Sequence, residues 1–198
     1  MASKQLTFEN EAREKIKSGV DKLARAVVST MGPKGRTAML DKGWGAPTET
    51  KDGVSVAEDI DLSCPYENCG AKMVREVASK TSDVAGDGTT TATLLAQSIF
   101  NEGLRFEIAG HSPAELNRGI NLAVAEVEKY LTSIAKPVDS KRDISYVATV
   151  AANNDANVGK IIADAQDKVG KDGVITVSDG KTAETEVRVV EGMQFDRG

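Results

Sequence analysis

The chain has 198 residues, with 25 Lys and Arg against 30 Asp and Glu and a formal net charge of −5. That acidic balance argues against a protein that binds nucleic acid by neutralising phosphates, and no apolar stretch approaches the roughly 20 residues that span a bilayer. Hydrophobic residues make up 40% but aromatics only 4%, so an ordinary globular core must come from Ala, Val, Ile and Leu.

Phe8, Ala12, Ile16, Val20, Leu23 and Val27 recur at three- and four-residue steps and predict a helix over roughly 9–28. Thr30-Met31-Gly32-Pro33-Lys34-Gly35-Arg36 follows, with glycines, a rigid Pro and two cations. It reads either as a helix stop and turn or as one wall of a ligand pocket. Thr37–Leu40 and Pro47–Thr50 flank Lys42-Gly43-Trp44-Gly45 and predict a hairpin, in whose turn Trp44 reads as a ring covering it or as a functional contact. Lys51-Asp52-Gly53 comes next. Lys51 suits phosphate charge and Asp52 suits water or a metal, although the triplet alone is a common surface turn.

A second stripe, Tyr66, Cys69, Met73, Val77 and Val84, predicts another helix, thinner in its later half. Ala92, Leu95, Ala96 and Ile99 predict a third, stopping near Gly103 or Gly110. The clearest stripe is Leu116, Ile120, Ala123, Val127, Leu131 and Ile134. Ser112 caps it, Pro113 takes the first helical position, Glu115 can reach back to the cap, and Pro137 closes it. Past a boundary near 135–140 the pattern predicts helices around 141–151 and 156–169, then strands at 174–177 and 185–190 separated by Asp179-Gly180. Lys-Asp-Gly-Val occurs at 51–54 and 171–174, one copy opening a helix and the other a strand, and is no repeat. The last eight residues read as the opening of a further element, with the chain stopping in mid-fold.

Some chemistries find no support. Cys64 and Cys69, with His111 elsewhere, are too few soft ligands for a structural zinc site and too few cysteines for a disulfide framework. Free thiols and the lack of a secretory or transit leader point to the cytoplasm. A Ser–His pair through His111 has no supporting motif.

The stretch Ala85-Gly86-Asp87-Gly88-Thr89-Thr90-Thr91-Ala92 stands directly before a predicted helix. Two glycines allow a tight turn and close backbone approach. Three threonines put hydroxyls beside the free amides of a helix start, where the dipole favours an anion. Asp87 would repel a bare phosphate yet suits a phosphate-bound Mg²⁺. The residues leave two readings open, a Gly-rich loop with a Thr cap or a site for Mg-nucleotide. No Walker Gly-Lys-Ser or Gly-Lys-Thr occurs.

The 30–36 segment, Gly45-Ala46-Pro47-Thr48, Thr50-Lys51-Asp52-Gly53-Val54-Ser55-Val56-Ala57, Gly86-Asp87-Gly88-Thr89-Thr90-Thr91-Ala92-Thr93 and Glu191-Gly192-Met193-Gln194-Phe195-Asp196-Arg197-Gly198 occur in this order. Together they closely resemble the N-terminal part of the bacterial GroEL type of group I chaperonin, across all 198 residues. Departures are Met31 for the usual Leu, the two cysteines, and Ala151-Ala152-Asn153-Asn154.

The resemblance implies a mainly α fold. Residues 1–135 would be the first half of an equatorial ATP-binding domain carrying the small hairpin. Residues 136–190 would be the first half of a small α+β intermediate hinge domain, and 191–198 the start of a truncated apical domain. It implies an ATP-driven folding machine of stacked homo-oligomeric rings, serving unfolded client proteins with a co-chaperonin. By motif match, Thr30, Gly32 and Pro33 line the nucleotide, Lys51 lies by the phosphates, and Asp87 binds Mg²⁺. Gly88, Thr89, Thr90 and Thr91 hold phosphate oxygens, and Asp52 lies near the terminal phosphate and supports hydrolysis. A K⁺ ion near Thr30 and Lys51 is also usual. In the family the returning chain segments supply a catalytic Asp, the adenine-side wall and the client-binding surface, so this stretch alone is expected to turn over little ATP. Two other functions compete: a free-standing nucleotide-binding module, and a non-enzymatic piece that inserts into or caps chaperonin rings.

Overall fold

The computed structural model describes residues 5–43, 45–170, 173–178, 185–190 and 192. Among them the elements are α1 (Glu9–Val28), β1 (Ala38–Leu40), β2 (Thr48–Thr50), α2 (Gly53–Asp59), α3 (Pro65–Ala85), α4 (Thr89–Ile108), α5 (Pro113–Ile134), α6 (Lys141–Ala151) and α7 (Ala156–Val169). The chain is mainly helical, as its periodicity predicts. It divides into two compact units, 1–126 and 127–198, and the division falls within α5.

In the first unit, α1 and α3 approach through glycine. A Cβ on Gly19 would lie 1.8 Å from the Glu67 carbonyl oxygen, and one on Gly70 would lie 2.1 Å from that of Ile16. Each helix therefore presents a bare backbone where the other's carbonyl passes. Around this crossing Val20, Leu23 and Val27 of α1 meet Val56 and Ala57 of α2 and Ala71, Val74 and Ala78 of α3 in the core cluster. Each fully buried Val or Leu side chain contributes about 1.5–3 kcal/mol, while the alanines set how closely the helices come. The cluster contains no aromatic residue, and Phe100 packs against it from the rim.

Two apolar stripes behave differently from expectation. On α3 the buried face is Gly70, Ala71, Val74 and Ala78, whereas Met73 and Val84 are exposed. The large side chains marked a face, but close helix packing selected the neighbouring face of small ones. On α5 the regular stripe is present and no residue is buried. Leu122 is 63% exposed and Leu131 is 55% exposed, because no described element covers them. The third helix runs through Gly103 to Ile108 and stops before Gly110, which has φ +97°.

The hairpin forms as predicted, with Ala38, Met39 and Leu40 pairing antiparallel to Thr50, Glu49 and Thr48. The proposed role of Trp44 lies outside the described residues. Arg75 of α3 clamps the end of α2 with the charge its terminal carbonyls favour: its Nε donates to Ala57 O at 3.0 Å, and its guanidinium also bonds Ile60 O and the Asp61 carboxylate.

In the second unit, Ser140 and Asp143 cap α6 reciprocally, and the Asp155 carboxylate caps α7 by accepting from the Asn157 and Val158 amides. At Gly159 a Cβ would lie 2.0 Å from Thr149 Oγ1 of α6. Lys141 bridges to Asp164 and Asp167 at 2.8 and 2.9 Å. The strands expected at 174–177 and 185–190 are not formed. A strand is stabilised by its ladder partner; among the described residues these segments have none, and Val174 and Val177 stand 84% and 89% exposed. Among the described residues no helix is long and apolar enough to cross a membrane.

Candidate functional site

The Gly86-Asp87-Gly88 turn joins α3 to α4 through two left-handed glycines, at φ +71° and +84°. Gly86 ends α3, its amide returning to Ser82 O at 2.8 Å. Gly88 is the N-cap of α4 and has no side chain, and among the described residues no side-chain oxygen caps the amides of the α4 first turn. Those amides and the positive end of a 20-residue helix are left to an external acceptor. Asp87 is exposed, and one of its oxygens accepts the Gly88 amide at 2.6 Å.

The three threonines have different surroundings. Thr89 is 7% exposed, Thr90 is half-buried and Thr91 is exposed. The hydroxyls of Thr89 and Thr90 face the start of α2: a Cβ on Gly53 would lie 2.4 Å from Thr90 Oγ1 and 3.0 Å from Thr89 Oγ1. Thr93, fully buried, donates its hydroxyl back to Thr89 O at 2.9 Å. The first turn of α4 is thus seated on α2.

That contact brings Asp52 beside the threonines, because Asp52 is the N-cap of α2. Its Oδ2 accepts from Ser55 N at 2.9 Å and Ser55 Oγ at 2.7 Å, while Oδ1 accepts only a long bond of 3.4 Å from Val54 N. The Asp52 amide donates to Thr50 Oγ1 at 3.0 Å, tying the residue to β2. Lys51 is exposed and pairs with no described residue.

The 30–36 loop folds back on the end of α1. Arg36 N donates to Ser29 O at 2.9 Å, Gly35 N to Gly32 O at 2.8 Å, and Thr30 Oγ1 to Val27 O at 2.8 Å. Gly32 takes φ +76°, while Gly32 and Pro33 are exposed. Val27 shares the buried cluster with Val56 and Ala57 of α2, which anchors both segments in one core. No hydrogen bond among the described residues joins Thr30, Gly32 or Pro33 to the Asp52–Thr90 cluster. Sequence reasoning passed over Gly53 and Ser55, although the Asp-x-x-Ser spacing of an N-cap and its third helical residue was a signal for Ser55.

Two grooves mark the surface of the first unit. One groove runs along α1 beside Lys17, Asp21 and Arg25, and another lies between the hairpin and α2, lined by Glu49, Glu58 and Asp59 and also by Thr50 and Ser55, the partners of Asp52. Asp21 braces α1 against α4: Gln97 Nε2 and Asn101 Nδ2 donate to Oδ1 at 2.7 and 2.9 Å. Burial would raise its carboxyl pKa, but the bonds from Asn101, Lys17 and Gln97 and the Lys17 charge outweigh that and hold it below its ordinary value of 3.8.

The structure is similar to chaperonin gp146 from bacteriophage EL 2 (Pseudomonas aeruginosa), crystallised in the presence of ATP-BeFx, with TM-score 0.65 and 29% identity over 78% of this chain and 27% of that one. It is also similar to a group III chaperonin in the open state, with TM-score 0.67 and 30% identity over 83% of this chain and 34% of that one. Residues 23–198 match the TCP-1/cpn60 chaperonin family, and the chain belongs to it. It spans about a third or less of the length of these solved chaperonins.

Proposed function

We propose that this chain is the nucleotide-binding N-terminal portion of an ATP-dependent chaperonin subunit of the group I, GroEL-like type. The observation that carries the reading is the seating of the α4 first turn, with its uncapped amides, against Gly53 beside Asp52. The crystallisation of a similar chaperonin with ATP-BeFx supports a nucleoside triphosphate as the ligand.

The residues present fit Mg-ATP. Two glycines without Cβ, free amides and hydroxyls supply donors for phosphate oxygens, and Asp87 supplies an exposed carboxylate for the cation. Gly88, Thr89, Thr90 and Thr91 would hold phosphate oxygens, Lys51 would balance their charge, and Thr30, Gly32 and Pro33 would line the nucleotide. Mg²⁺ would neutralise phosphate charge and orient the triphosphate. Asp52 would orient water at the terminal phosphate, and a K⁺ ion near Thr30 and Lys51 belongs to the same reading. Assembly into homo-oligomeric rings, action on unfolded clients with a co-chaperonin, and a cytoplasmic location complete the proposal.

Calorimetric titration of Mg-ATP into the complete subunit tests it. Wild type is expected to bind saturably, and Asp87→Ala to weaken binding by more than about tenfold. Unchanged affinity in that variant would remove Asp87 and the helix start from the site.

A further inference from the structure

The Asp52 carboxylate is held asymmetrically. Both short bonds, from the amide and the hydroxyl of Ser55, fall on Oδ2, and Oδ1 keeps only the 3.4 Å bond from Val54. An ionised carboxylate offers about four acceptor positions, so those left open lie mainly on Oδ1. The backbone beneath is fixed on both sides. Thr50 Oγ1 accepts the Asp52 amide, and Gly53 has no room for a side chain against Thr89 and Thr90. Rotations about the Cα–Cβ and Cβ–Cγ bonds then remain, and the Ser55 hydroxyl is the side-chain group that opposes them.

We propose that Ser55 is a positioning residue that occupies Oδ2 of Asp52 and leaves Oδ1 as the oxygen that meets the reacting water. This rests on the reading of Asp52 as the group beside the terminal phosphate. With the amide bond alone the carboxylate can pivot about the bonded oxygen, and the Ser55 hydroxyl supplies the second point that fixes its plane. The residue acts through Asp52 and touches no reacting atom itself.

A structural arm tests the positioning without nucleotide. In crystals of the nucleotide-free protein, Ser55→Ala is expected to leave α2 capped but to turn the Asp52 carboxylate or split it between two orientations. Ser55→Thr should restore the wild-type orientation. A carboxylate unchanged in Ser55→Ala overturns the proposal. A kinetic arm follows ATP hydrolysis by the complete subunit. Ser55→Ala should lower kcat about tenfold, change KM by less than about twofold, and recover as Ser55→Thr. In an Asp52→Asn background the same substitution should cause no further loss. A full additional loss in that background, or an effect confined to KM, overturns the proposal. Absence of Mg-ATP binding and hydrolysis in wild type would instead overturn the nucleotide reading, and the carboxylate orientation would still decide whether Ser55 positions Asp52.

Discussion

Two glycines of the site cannot be replaced for two different reasons. Gly88 has open space around its missing Cβ but sits at φ +84°, so Gly88→Ala should cost about 1–2 kcal/mol of backbone strain. Gly53 would place its Cβ 2.4 Å from Thr90 Oγ1, so Gly53→Ala should cost about 1–3 kcal/mol through overpacking. Urea denaturation distinguishes them. Adding Thr90→Ala should recover part of the Gly53→Ala loss and leave the Gly88→Ala loss intact; equal behaviour of the two pairs would refute the assignment. The roles of the three threonines differ likewise. Thr91 is exposed, whereas the Thr89 and Thr90 hydroxyls also face α2 at Gly53.

Between elements, the α1–α3 crossing depends on backbone approaching backbone. Neither the Glu67 carbonyl facing Gly19 nor the Ile16 carbonyl facing Gly70 can rotate aside. Gly19→Ala and Gly70→Ala should therefore each cost about 2 kcal/mol or more, seen as a lowered melting temperature. The α1–α4 contact carries a pH dependence. Because Asp21 is held below its ordinary 3.8 in the fold, its contribution is fully present above that value and is lost as pH falls through the lower folded value. Asp21→Asn should accordingly be less stable than wild type at about pH 6 and should approach it near about pH 2. A constant gap in urea midpoints across that range would count against the network.

For the whole molecule, apolar pattern and burial part company. Leu23 is fully buried, and Leu23→Ala should cost about 3–5 kcal/mol. Leu131 belongs to an equally regular stripe but is 55% exposed, so Leu131→Gln should shift stability by less than about 0.5 kcal/mol. Chemical denaturation of the two variants checks the contrast, and a Leu131→Gln cost near that of Leu23→Ala would show that α5 is covered.

Helix spacing, the glycines of the Gly86–Gly88 turn, the hairpin and the threonines before an apolar run are local features, and they were legible in the residues themselves. So was a core of small aliphatic side chains. Periodicity says that a helix has an apolar face but carries no information on what lies opposite it. The choice of Ala71, Val74 and Ala78 over Met73, and the bare face of α5, were therefore settled by tertiary packing. The valine-rich segments at 174–177 and 185–190 carry strand propensity, yet a ladder needs a second strand, which no single stretch of sequence supplies. The same holds at the site. Asp52 and Thr90 are distant in the chain, and only the close approach of α2 to α4 at Gly53 brings their chemistry together.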